Sequence, residues 1–142
     1  MKILYKTDDE KLAPTKGSAL AAGWDLKYAG EYIEIPPLTR AKLPTGLKIA
    51  MDKFTFAMVE ARSGLSLNHG TIVLAGVIDS DYRGDLNVIM FNSGDKTIVF
   101  NKYDRIAQLV FHPNTTTEAQ VISVETLPES QRGELGFGST GA

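Results

Sequence analysis

Short runs rich in Val, Ile, Phe, Thr and Tyr, each closed by a turn signal, limit what this chain can fold into more than any other feature. They cover residues 2–6, 31–35, 46–50, 54–60, 71–78, 86–92, 97–100, 106–111 and 119–124. β-branched and aromatic side chains pack well on a pleated surface. Between the runs, Pro36 and Pro37, Pro44, Asn68-His69-Gly70, Ser93-Gly94-Asp95 and His112-Pro113-Asn114 mark turns. No long stretch keeps a 3.6-residue apolar period, and only 63–68 and 18–22 read as short helical turns. Short strands at this spacing predict an all-β fold, a closed barrel or a sandwich, with a jelly roll favoured.

At 142 residues the chain fits one domain and can bury about two-thirds of its unfolded surface. Residues 1–125 carry no internal repeat and no linker. The composition changes at the end, where 128–142 read PESQRGELGFGSTGA. That stretch has too little apolar surface to fold alone, so it is either floppy or orders on something. A β-barrel domain over 1–127 and a flexible C-terminal arm over 128–142 are expected.

The net charge of −2 gives no global pull toward nucleic acid or acidic membrane, and neither is expected as a partner. A polyanion would need local cations, backbone N–H groups or a metal. The lack of cysteine excludes disulfides and thiolate metal sites and agrees with a reducing compartment. The opening MKILYKTDDEKL has too short an apolar run for a signal peptide, and no segment has the ~20 apolar residues of a membrane span. An intracellular location is expected, cytoplasmic, or nuclear in a eukaryote.

Five segments are unusual for a plain β-domain. In Ala22-Gly23-Trp24-Asp25-Leu26 an acid stands between apolar neighbours, which suits a turn cap as well as a site. Arg62, Ser63 and Gly64 open a short helical turn and could present a guanidinium, a hydroxyl and N–H donors to phosphate, or serve as a plain N-cap by Ser63. Gly76, Val77, Ile78 and Asp79 lead into a polar hairpin with Asp81, Tyr82 and Asp85. A hairpin explains the turn residues but gives no purpose to a carboxylate directly after Val77-Ile78. In Asp104-Arg105-Ile106-Ala107-Gln108 the first two residues suit a structural ion pair, and Gln108 suits a polar face or a site. Arg132, Phe137, Gly138, Ser139 and Thr140 form a phosphate-cradling composition without the Lys or preceding strand of a Walker loop. His69 and His112 read as surface residues.

Taken in order, these five segments resemble the five motifs of the homotrimeric dUTPase family, from Ala22 to Gly141. The resemblance implies a jelly-roll-like barrel and hydrolysis of dUTP to dUMP and pyrophosphate with Mg²⁺, which keeps uracil out of DNA and supplies dUMP for thymidylate synthesis. It implies that Asp79 orients and deprotonates the attacking water, and that Asp25 holds Mg²⁺ through bound water. Arg62, Ser63, Gly64 and Gln108 would contact phosphates. Tyr82 would pack on deoxyribose and exclude a 2′-OH, and the hairpin backbone around Gly76, Val77 and Ile78 would pair with uracil. The arm would cross to another subunit of a trimer, stack Phe137 on the base and grip phosphates with Arg132, Gly138, Ser139 and Thr140.

Trp24 stands where Tyr is commoner in the family, Ala61 where Pro is usual, Tyr103 where Gly precedes Asp-Arg, Asp85 where Glu is frequent, and Leu135 where Gly is typical. Leu takes positive φ only at a cost, so Leu135 would weaken arm closure if the closed backbone needs that conformation. Two rival readings remain: a dCTP deaminase-like enzyme of the same fold, and a nucleotide-sensing regulatory protein with a protein partner.

Overall fold

The computed structural model describes residues 1–138, so Ser139 and Thr140 lie outside the described residues. Ten strands form: β1 Leu4–Lys6, β2 Gly23–Lys27, β3 Tyr32–Ile35, β4 Arg40–Ala50, β5 Thr55–Glu60, β6 Thr71–Leu74, β7 Val77–Ile78, β8 Leu86–Asn92, β9 Ile98–Asn101 and β10 Arg105–Pro113. One α-helix, α1 Ser63–His69, and two 3₁₀ turns complete the described elements. Every strand pairing is antiparallel, in sheets ordered β1-β4-β8-β6, β2-β10-β5-β7 and β3-β9. This is the all-β, jelly-roll-like architecture the run pattern predicts.

Alternation along β4 shows how the sequence builds the core. Leu43, Thr45, Leu47 and Ile49 point inward and are buried, while Lys42, Pro44, Gly46 and Lys48 face out. Leu26, Val88, Met90 and Ile106 from other strands meet them in one apolar cluster. Enclosing one such side chain contributes about 1.5–3 kcal/mol. The buried hydroxyl of β4, Thr45 Oγ1, donates to the Leu86 carbonyl at 2.6 Å, so its burial carries no unpaired polar cost.

Four features differ from the sequence expectation, each for a physical reason. Pro44 is not a turn residue. It sits inside β4, at a register shift between Pro44 and Leu47 where Gly46 takes φ 70°, a bulge that spares the missing N–H. The run 71–78 is two strands in different sheets, broken at Ala75 (φ 58°) and Gly76 (φ 100°). A Cβ at Gly76 would lie 2.7 Å from the Val59 carbonyl oxygen, so the crossing is open only to glycine. β2 is absent from the expected strands, since Gly23 and Asp25 are poor strand formers and Asp25 suits a turn cap, yet pairing with β10 overrides propensity. Finally, 119–124 forms no strand: Val121 is 102% exposed, and Ala119 N–H bonds only the local Thr116 carbonyl. Residues 18–22 make a single turn, Ala21 N–H to Ser18 C=O at 3.2 Å.

Candidate active site

β2, β10 and β5 lie side by side, and register sets Asp25 opposite Gln108 and Gln108 opposite Glu60. The Asp25 side chain is only 14% exposed and is held by two arginines. Arg62, the residue capping α1, donates from Nε to Asp25 Oδ1 at 3.0 Å. Arg105, the first residue of β10, donates from Nη1 to Oδ2 at 3.4 Å. Arg62 Nη1 also donates to the Arg105 carbonyl at 3.3 Å. Glu60 shares the row, so two carboxylates stand by two guanidiniums, and most of the ten guanidinium N–H donors are unused among the described residues and open to an anion.

Arg105 therefore does not pair with Asp104. Asp104 accepts the Asn101 N–H at 2.7 Å and closes the β9–β10 turn instead. Sequence reasoning missed Arg105 as a partner of Asp25 because nothing in the local order brings residues 80 apart into contact. Gln108 donates from Nε2 to the Ala61 carbonyl at 2.9 Å. Ser63 is the first helical residue rather than the cap, and the cap at Arg62 makes no side-chain capping bond. Gly64 beside it faces open space. Asp25, Arg62, Ser63, Gly64 and Gln108 thus lie in one cluster.

A second cluster sits on the loop from β7 to β8, which is not the hairpin expected from the turn residues, because β7 pairs with β5 and β8 lies in another sheet. Val77 and Ile78 form the last strand of their sheet, so one side of their backbone has no strand partner. Asp79 follows at once, is exposed, and its carbonyl accepts the Tyr82 N–H at 3.1 Å. Val77, Ile78, Asp79, Tyr82, Asn87 and Ile89 border a cleft of about 290 Å³. The Tyr82 hydroxyl donates to the Asp85 carbonyl at 2.9 Å. Its ring lies over Gly84, where an added Cβ would come within 2.6 Å of the ring Cζ.

The third group, Arg132, Phe137 and Gly138, touches neither cluster. Phe137 is fully exposed, and the hydrogen bonds of 119–138 are all local among the described residues. Arg132 Nε donates to the Leu135 carbonyl at 2.8 Å. Positive φ in this stretch falls on Gly133, Phe137 and Gly138, not on Leu135.

The two clusters of the barrel do not meet within one chain. From Asp25 the row runs through Gln108 to Glu60, and Ile78 pairs with Ala57 three residues further along β5. Three strand spacings of about 4.8 Å and four residue steps of about 3.3 Å separate Asp25 from Asp79 by about 20 Å. That is too far for both carboxylates to act on one phosphate group.

The family model for dUTPase matches residues 9–141. The chain belongs to the dUTPase family. It is 47% identical to the deoxyuridine 5'-triphosphate nucleotidohydrolase of Oryza sativa subsp. japonica over 96% of this chain and 78% of that protein. It is 43% identical to the enzyme of that name from Candida albicans, over 99% and 87% of the two chains. In fold it is similar to a Staphylococcus bacteriophage 80alpha dUTPase mutant with dUpNHpp, at TM-score 0.89 and 23% identity, over 99% of each chain. It is also similar to a dUTPase mutant from phage phi11 of S. aureus, studied for its coordination of a structural Mg(II) ion, at TM-score 0.78 and 20% identity, over 89% and 98%.

The donor set also bears on Mg²⁺. Among the described residues no group of three His, Cys, Asp or Glu could chelate a metal. Asp25 keeps lone pairs beyond those its arginines use. One carboxylate of this kind fits a hydrated Mg²⁺ that arrives on a triphosphate, since this ion keeps several waters and takes oxygen ligands from phosphates.

Proposed function

We propose that this dUTPase-family chain hydrolyses dUTP to dUMP and pyrophosphate. The observation that carries the reading is the mostly buried Asp25, pinned between Arg62 and Arg105 beside Gln108. This cluster gathers free guanidinium donors where a triphosphate would lie. Ser63 and Gly64 add a hydroxyl and an open backbone at the same end of α1. Asp25 would hold Mg²⁺ through water, and the ion when bound would draw charge from the phosphate oxygens.

Asp79 accepts the proton of a water that adds to the α-phosphorus. The bond from that phosphorus to the α–β bridging oxygen breaks, and pyrophosphate leaves with the electron pair. Backbone groups on the free side of Val77–Ile78, with Gly76 at the crossing, pair with uracil. Cytosine would leave an N–H aimed at its amino group unpaired, at ~1–3 kcal/mol. Tyr82, braced over Gly84, lies against deoxyribose and leaves no room for a 2′-OH.

The ~20 Å between Asp25 and Asp79 is the reason to place each site between copies of the chain. Ile72, Leu74 and Ile89 give the outer face of one sheet exposed apolar side chains, with Leu74 opposite Ile89, and Val77 adds another from the edge of the neighbouring sheet, as an interface requires. The homotrimer supplies that geometry, with Asp25 from one copy and Asp79 from the next. The arm then reaches a third surface, where Phe137 stacks on the base and Arg132, Gly138, Ser139 and Thr140 hold phosphates. Ordering it costs ~1–2 kcal/mol per residue, which nucleotide contacts offset.

Pyrophosphate release from dUTP, dCTP, dTTP and UTP, with and without Mg²⁺, tests the reading. Release from dUTP with Mg²⁺, and at least about a hundredfold less from the others, is expected. An intact dUTP, or ammonia released from dCTP, overturns it.

A further inference from the structure

Gly23 is buried and does not have the left-handed φ that usually explains a glycine. Space explains it instead. A Cβ built there would land on Gln108 Oε1 and sit 2.9 Å from Gln108 Cδ, both side-chain atoms two positions away across the β2–β10 pairing. Gly23 lies opposite Val110, and Asp25 opposite Gln108, so all four point to one face of the pair. The Gln108 side chain folds back over the bare Gly23 backbone and reaches the Ala61 carbonyl with Nε2 at 2.9 Å. An amide NH₂ has two donors. One is spent on Ala61, which fixes the plane of the carboxamide and aims the other.

We propose that Gly23 is a positioning residue whose missing side chain lets Gln108 lie flat, so that its second amide N–H faces the phosphates. This rests on the reading of Gln108 as a phosphate contact. Any other residue at position 23 would carry a Cβ and lift the carboxamide off Ala61. The donor would then be misplaced although Gln108 itself is intact.

The test is a double-mutant cycle on the full-length protein with Gly23→Ala, Gln108→Ala and the pair, with Gly17→Ala as control, since a Cβ at Gly17 meets nothing within 4 Å. Gly23→Ala should lower kcat/KM for dUTP about as far as Gln108→Ala does, and the pair should fall no further. Multiplied losses in the pair overturn the proposal. Of the three atoms nearest an added Cβ, only the Gln108 Cβ, at 3.0 Å, remains once the carboxamide is gone. A poorly folded Gly23→Ala should therefore regain melting temperature when Gln108→Ala is added; failure to regain it places the cost in the backbone and refutes the proposal. The side-chain amide pair of Gln108 in ¹H–¹⁵N spectra gives a readout free of catalysis. It should move in Gly23→Ala and stay in Gly17→Ala; an unmoved pair rejects the role of Gly23. If Gln108→Ala leaves kcat/KM unchanged, the phosphate reading of Gln108 fails, and the amide shift still decides whether Gly23 seats it.

Discussion

At the scale of single residues, the sugar discrimination proposed for Tyr82 depends on a side chain that is absent. Tyr82 lies across Gly84 and ties its hydroxyl to Asp85. Gly84→Ala would put a methyl under the ring and tilt it away from the sugar. The expected result is a kcat/KM for UTP that rises about tenfold or more relative to dUTP, because steric exclusion of the 2′-OH is lost. A ratio that stays constant in the two nucleotides removes Tyr82 from sugar discrimination. Motif order made Asp25, Arg62, Gln108, Asp79 and Tyr82 legible in the sequence. Arg105 was not, for a reason of geometry: β10 shifts register between Arg105 and Ala107, and that irregularity turns Arg105 toward Asp25 rather than its neighbour Asp104. Local sequence does not carry a bulge of this kind.

Among elements, the turn between β9 and β10 is tied to the first 3₁₀ turn, Glu10–Leu12. Tyr103 sits at φ 73°, a conformation that costs a non-glycine residue roughly 1–2 kcal/mol. Its hydroxyl donates to Asp9 Oδ2 at 2.6 Å, and Lys11 and Lys102 each stand 5.7 Å from its ring. The Tyr103 hydroxyl, then the Lys11 N–H, hold the Asp9 carboxyl below its ordinary range, and the same bond to Asp9 raises the Tyr103 hydroxyl above its own. A depressed carboxyl stabilises the fold above its unfolded value, about pH 4, and that help is lost as pH falls through the folded value. A raised phenol stabilises below about pH 10 and fails only above it. Tyr103→Phe should therefore lower the melting temperature at neutral pH and flatten its decline as pH falls below about 4. An acid limb as steep as that of the parent would mean the bond contributes nothing to the native state. Where propensity and alternation agreed, as in β5 and β8, the elements were legible. β2 was not, because its glycine and aspartate weaken the strand signal. The stretch 119–124 failed the other way: it has strand-forming residues, but a strand also needs an edge to join.

On the proposed reading, the molecule as a whole is incomplete in a single copy. The edge strand β7 leaves Val77 59% exposed, and Phe137 is bare. Apolar residues on strand positions look like core residues in the sequence, so an exposed apolar surface of this kind was invisible without the fold. The distance of about 20 Å between Asp25 and Asp79 turns that incompleteness into a quantitative expectation. Asp25→Asn and Asp79→Asn chains should each be nearly inactive alone, Asp79→Asn by about a hundredfold or more as a lost general base. If every site draws Asp25 from one copy and Asp79 from another, mixed trimers restore some sites. In an equal mixture of unfolded chains, half the donors of Asp25 and half the donors of Asp79 are intact, independently. Co-refolding should then return about a quarter of the parent activity, whereas mixing folded trimers without exchange should return none. Recovery to that level fixes the carboxylates on different chains. Its absence, in co-refolded material shown to contain both variants in one trimer, would mean that one chain folds further than this single copy and closes its own site.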